Sequence, residues 1–111
     1  MGRFIATPTT TTTLVAITTN YSANPNETIL ADTAGGPITV TIPASTSAVI
    51  GSRINIVDPN GKWGQYNCIV GTTTSITKIA SLNENLTLNV PYTSVELLYT
   101  GASYGWVLLN S

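Results

Sequence analysis

The chain contains no histidine, so the commonest general base and metal ligand is missing. Acid–base chemistry would fall to five carboxylates: Glu27, Asp32, Asp58, Glu84 and Glu96. Glycoside hydrolysis needs two carboxyl groups at a defined separation. Asp32 and Asp58 each close an apolar run and could meet. The simpler expectation is structural, because Asp before a Gly- or Pro-containing turn accepts hydrogen bonds from the turn's own backbone. No serine stands in the Gly-x-Ser-x-Gly setting of a nucleophile elbow. The glycines form no phosphate-cradling pattern. Asp58-Pro59-Asn60-Gly61 offers too few oxygen ligands for calcium by itself. Cys68 is the only cysteine, which excludes an internal disulfide or cysteine metal cluster. Its place in Cys68-Ile69-Val70 predicts a small buried hydrophobe. No catalytic residue, cofactor or metal is expected.

Binding is the chemistry left open. Trp63 and Tyr66 sit in the loop Lys62–Tyr66, where exposed rings could stack on a sugar or bury in a partner. Equally, Trp63 could fold back over the end of the core. Trp106, after Gly105 and at the start of an apolar run, is expected inside.

The elements that would position these residues are strands. Ile38, Val40 and Ile42 alternate with Thr39 and Thr41, the period-two pattern of a half-buried strand. With Thr28–Ala31 across Asp32-Thr33-Ala34-Gly35-Gly36-Pro37, this run predicts a hairpin. Leu14–Thr19, Arg53–Asp58, Asn67–Gly71, Ser75–Ile79 and Leu86–Val90 are further strands, the last with Leu86, Leu88 and Val90 inward. Val95–Tyr99 and Trp106–Leu109 predict a closing hairpin. Asn20–Asn26, Asp58–Gly61 and Ser81–Asn85 are loops or turns. No fixed repeat of 20–50 residues is visible. The expected fold is all-β: a compact sandwich or barrel of about eight to nine short, mainly antiparallel strands. It occupies residues 14–111, behind an extended N-terminal arm, residues 1–13. In the arm Phe4 and Ile5 are the only large apolar side chains, and Pro8 followed by five threonines denies it a helix.

Charged residues make up 8% of the 111 residues, against about 25% in an ordinary domain. A Thr-, Ser- and Asn-rich surface offers little charge repulsion to self-association. The net charge of −1 and the scattered Arg3, Arg53, Lys62 and Lys78 predict no nucleic-acid partner. No run of about 18 apolar residues predicts a membrane span, and the first residues lack the apolar segment of a secretory signal. Synthesis in the cytoplasm is expected.

The succession ETILADTAGGPITVTIPAS, GSRINIVDPNG, NLTLNV and SVELLYTGASYGWVLL resembles a module that recurs in structural proteins of tailed bacteriophages, cyanophages among them. The resemblance runs from Glu27 to Leu109, and its motifs fall on Thr28–Ile42, Gly51–Asp58 and Tyr104–Trp106. Ser52-Arg53 departs from it, since an acidic residue often follows the glycine there. It implies a trimerising β-subunit of tail fibres, baseplates or head decoration. A module with only a short arm suits a homotrimeric capsid decoration (cement) protein on the virion surface. Such a subunit bridges major capsid subunits, with Arg3, Phe4, Ile5 and Pro8 as arm contacts. The alternative is a tail-fibre or baseplate module that binds host surface glycans through Trp63 and Tyr66.

Overall fold

A computed structural model describes residues 13–44, 47–72, 77–79 and 84–110. Nine strands follow one another: β1 (Thr13–Ile17), β2 (Tyr21–Ser22), β3 (Glu27–Ala31), β4 (Ile38–Thr41), β5 (Arg53–Val57), β6 (Cys68–Gly71), β7 (Leu86–Leu88), β8 (Ser94–Tyr99) and β9 (Trp106–Asn110). No helix occurs among the described residues. Strict alternation makes these strands: Ile29 and Ala31 of β3, Ile38 and Val40 of β4, and Ile54 and Ile56 of β5 are buried, while their neighbours face outward.

The strands form two sheets, ordered β1-β3-β5-β8-β9 and β2-β4-β6-β7. From β1 to β6 the chain changes sheet at every step, and each strand returns parallel to its predecessor in the same sheet. Val15, Ile29 and Ile56 therefore lie side by side in one sheet, and Tyr21, Val40 and Val70 in the other. Three two-strand turns are stacked in this way over one shared core. β7 then adds antiparallel to β6, and β8 and β9 add antiparallel beyond β5. Each fully buried Ile or Leu contributes roughly 1.5–3 kcal/mol relative to exposure.

The all-β expectation holds, but the pairing differs from the sequence reading. Thr28–Ala31 and Ile38–Ile42 do not form a hairpin, because β3 and β4 belong to opposite sheets. Asp32–Pro37 carries the chain from one sheet to the other, and the buried residues of both belong to one core cluster. Among the described residues four of the seven strand pairings are parallel, against the mainly antiparallel expectation. The stretch Asn20–Asn26 contains β2 rather than loop alone. The closing hairpin forms as expected, with an irregularity between Glu96 and Leu97. β7 stops at Leu88, and Val90, expected inside, is 55% exposed where the chain turns at Pro91.

Thr13, expected in the arm, opens β1. The rest of the arm, with Arg3, Phe4, Ile5 and Pro8, lies outside the described residues, as do Ser75 and Ile76 of the expected strand Ser75–Ile79. Ile79 makes one bridge to Trp106. Trp106 is fully buried, as expected; its Nε1 donates to the Pro43 carbonyl at 3.0 Å, and its ring tilts against Tyr99 with centroids 5.3 Å apart.

Candidate functional site

Parallel β3 and β5 end side by side, with Leu30 paired to Val57, so the next residues bring Asp32 and Asp58 to the same end of the sheet. Asp58 is 3% exposed, and its carboxylate accepts five backbone N–H bonds. Oδ1 takes those of Asn60 (3.3 Å), Gly61 (2.9 Å) and Lys62 (3.2 Å). Oδ2 takes those of Trp63 (3.2 Å) and Tyr92 (3.0 Å). Burial by itself would raise the Asp58 carboxyl. The N–H groups of Tyr92, Trp63, Lys62 and Asn60 outweigh it and hold the group below its ordinary value.

Asp32 faces the same loop. Its Oδ1 accepts the Ala34 N–H at 3.0 Å and the Asn60 side-chain amide at 2.8 Å. Asn60 therefore links the two carboxylates, and both hold turns, as the composition of those turns suggested. The Asn60 Oδ1 and Thr33 Oγ1 atoms at this end are buried without a partner. Among the described residues no group of three or more His, Cys, Asp or Glu side chains is placed to hold a metal ion.

A second buried carboxylate, Glu27, sits at the start of β3. It accepts the Tyr21 hydroxyl at 2.9 Å and the Asn24 N–H at 2.8 Å. Accepting that bond, with burial and the carboxylate's charge, raises the Tyr21 hydroxyl above its ordinary value. Cys68 is fully buried, and desolvation, reinforced by the charge of Asp58, pushes its thiol up to about 12.

Of the two placements expected for Trp63, the one folded back over the core holds, and the exposed-contact candidate is corrected. Trp63 is fully buried, with Nε1 donating to the Ala31 carbonyl at 3.1 Å, and cannot be an exposed contact. Its large apolar surface closes the end of the core while its polar edge finds a strand-end carbonyl. Tyr66 is half-buried.

The exposed ring at this end is Tyr92. It is 74% exposed and has φ +57°, in the left-handed region that costs a bulky L-residue roughly 1–2 kcal/mol. Its N–H is tied to Asp58, and one edge of the ring fills the space that a side chain on Gly61 would need. Gly61 itself has φ +75°, so two constraints call for glycine there. Pro91, one residue earlier, lies where a Cβ on Gly64 would touch it at 3.1 Å. A positive φ following proline is the type II arrangement, whose third position normally takes Gly or Asn. Only the Pro91-Tyr92 order hinted at a ring in this place.

Beyond Val90 an apolar groove of about 400 Å³ opens between the sheets, lined by Leu86, Leu88, Val90, Val95 and Leu108. At the other end of the strands Val49, Ile50 and Tyr104 stand exposed. Against known proteins, no family model matches this sequence and no curated protein matches it significantly.

Proposed function

We propose that this chain is a structural subunit of a virion, a homotrimeric capsid decoration protein that stabilises the head by bridging major capsid subunits. The two sheets act as a sandwich-like scaffold, and catalysis plays no part. The observation that supports this best is the placement of β1. Among the described residues it is an edge strand, paired only with β3, with Leu14 66% exposed, and the arm precedes it directly in sequence. An edge left unpaired among the described residues, at the strand that follows the arm in sequence, suits strand addition to a neighbouring subunit. The low charge of the chain removes a barrier to such packing.

The test is the copy number of this chain in purified virions, relative to the major capsid protein, by quantitative mass spectrometry. A number comparable with the capsid protein supports the cement reading. A few trimers per particle would move the protein to the tail, and absence from the particle would overturn the virion reading. Deleting Met1–Thr13 should abolish capsid binding; unchanged binding would refute the tether. The second reading, a tail-fibre or baseplate module that binds surface glycans, is favoured by the exposed Tyr92 but not by Trp63.

A further inference from the structure

We infer that Tyr92 is the stacking platform of a carbohydrate-binding site at the Asp58 end of the molecule. The ring adds little to the core, since Tyr92 is 74% exposed. Yet its position is over-determined: the N–H is bound to a buried carboxylate, the ring edge rests at Gly61, and Pro91 fixes the entry. A left-handed backbone at a bulky residue is unfavourable, and glycine would relieve it. A fold that holds an exposed aromatic ring in one strained pose keeps it for contact.

The surroundings indicate the ligand class. Lys62 follows Gly61, Gln65 follows Gly64, and Asn89 precedes the Val90-Pro91-Tyr92 turn; all three are exposed. They are near chain neighbours of Gly61, Gly64 and Pro91, which adjoin Tyr92 or its turn, and they supply amide donors and acceptors and one cation at this end, which suits the hydroxyls and the C–H face of a sugar. The nearest carboxylate, Asp58, is buried and already holds five N–H groups, so it offers no repulsion at the surface. Val90 and the groove beyond it extend the surface on one side only, which leaves a protein partner as the competing occupant.

The test uses the full chain and three variants, Tyr92→Gly, Tyr92→Phe and Asp58→Asn, on a broad array of neutral and acidic oligosaccharides. Hits are titrated by saturation-transfer NMR. Tyr92→Phe should retain binding, and Tyr92→Gly should weaken it about tenfold or more, the scale of one aromatic contact. Tyr92→Gly should also raise the melting temperature, by about 4 °C, because the strain is relieved. Asp58→Asn, which frees the loop, should weaken binding as well. The inference fails if no glycan binds, or if Tyr92→Gly binds as wild type. It also fails if Tyr92→Gly lowers the melting temperature by several degrees, which would make the ring structural. Loss of self-association by sedimentation, with no sugar bound, would assign Tyr92 to an interface between copies and overturn the inference too. Sugar binding by the purified chain and copy number in virions are separate measurements, so either reading can fail alone.

Discussion

Asp58→Asn should destabilise the protein by about 3 kcal/mol, and the figure follows from where the five N–H groups point. Those of Asn60, Gly61 and Lys62 meet Oδ1 in part-buried surroundings. Those of Trp63 and Tyr92 meet Oδ2, in buried and part-buried surroundings. An asparagine keeps one carbonyl oxygen and turns an NH₂ group toward one of the two sets. If that set is the Oδ2 pair, donor faces donor at two groups with no other partner. Bonds to a charged acceptor contribute roughly 1.5–3 kcal/mol each, so losing two costs about 3 kcal/mol even at the low end. Against a total of roughly 5–15 kcal/mol, that is a large fraction.

Urea unfolding followed by tryptophan fluorescence reads this directly, since Trp63 and Trp106 are both fully buried. The midpoint should fall by on the order of 1–2 M. Acid adds a second readout. Because the folded-state Asp58 value is depressed, the unfolded chain takes up the proton first as pH falls. Its contribution is complete above the ordinary carboxylate value of about 3.9 and is lost as pH drops through the folded value. The wild type should therefore lose more stability between pH 5 and pH 3 (about the range that brackets an ordinary carboxylate) than Asp58→Asn does. A midpoint shift worth less than about 0.5 kcal/mol, or equal acid slopes in the two proteins, would refute the assignment of Asp58 as the anchor of this end.

Gly105→Ala should cost at least about 3 kcal/mol, because residue 105 has φ +71° and a Cβ there would collide with the Lys78 carbonyl that accepts the Trp106 N–H. Gly101→Ala, whose Cβ would meet only Ile50 at 3.7 Å but whose φ is +116°, should cost about 1–3 kcal/mol through backbone strain without a clash; a larger loss than for Gly105→Ala would contradict this. Cys68, buried and with its thiol pushed up to about 12, should resist iodoacetamide at pH 8 (roughly a free thiol's own value) and label only on unfolding. Rapid labelling of the native protein would show the core to be open there. Trp63→Phe should cost about 2 kcal/mol through the unpaired Ala31 carbonyl and lost packing, and a neutral effect in urea unfolding would argue against burial of the indole.

The strands were legible because alternation fixes which side chains face inward. Ile38/Val40 and Ile54/Ile56 are buried as their spacing requires. Strand partners were not legible, because alternation does not say which strand lies alongside. The link Asp32–Pro37 has the glycines and proline of a hairpin loop, yet it leads from one sheet to the other. The stacked turns escaped notice because residues in register, Thr13, Glu27 and Ile54, are unevenly spaced. At the site, Asp58-Pro59-Asn60-Gly61 announced its turn through residue chemistry alone. Trp63 stayed undecided because a glycine-containing loop is compatible with exposure and with folding back; burial wins because its indole N–H finds the Ala31 carbonyl. Tyr92 was hidden for the opposite reason. Propensity assigns a left-handed position to Gly or Asn, so a tyrosine there contradicts the local rule, and such contradictions collect at functional positions.

The stacked architecture separates the two surfaces that matter. Stacking in parallel leaves the first strand with an edge that is free among the described residues, and β1 (TLVAI) carries neither the charge nor the proline that usually protects one. An edge of that kind is a template for pairing with another chain, as the assembly proposed above requires. Tyr92 lies beside the start of β8, across β3 and β5 from that edge, at the end where the parallel strands finish. At about 4.8 Å per strand, a partner could add to β1 without approaching the ring. Assembly through the edge and recognition at the Asp58 end are therefore compatible in one subunit, and a trimer built on β1 would present three Tyr92 rings at once. Three weak sugar contacts presented together would bind a repetitive surface far more tightly than one.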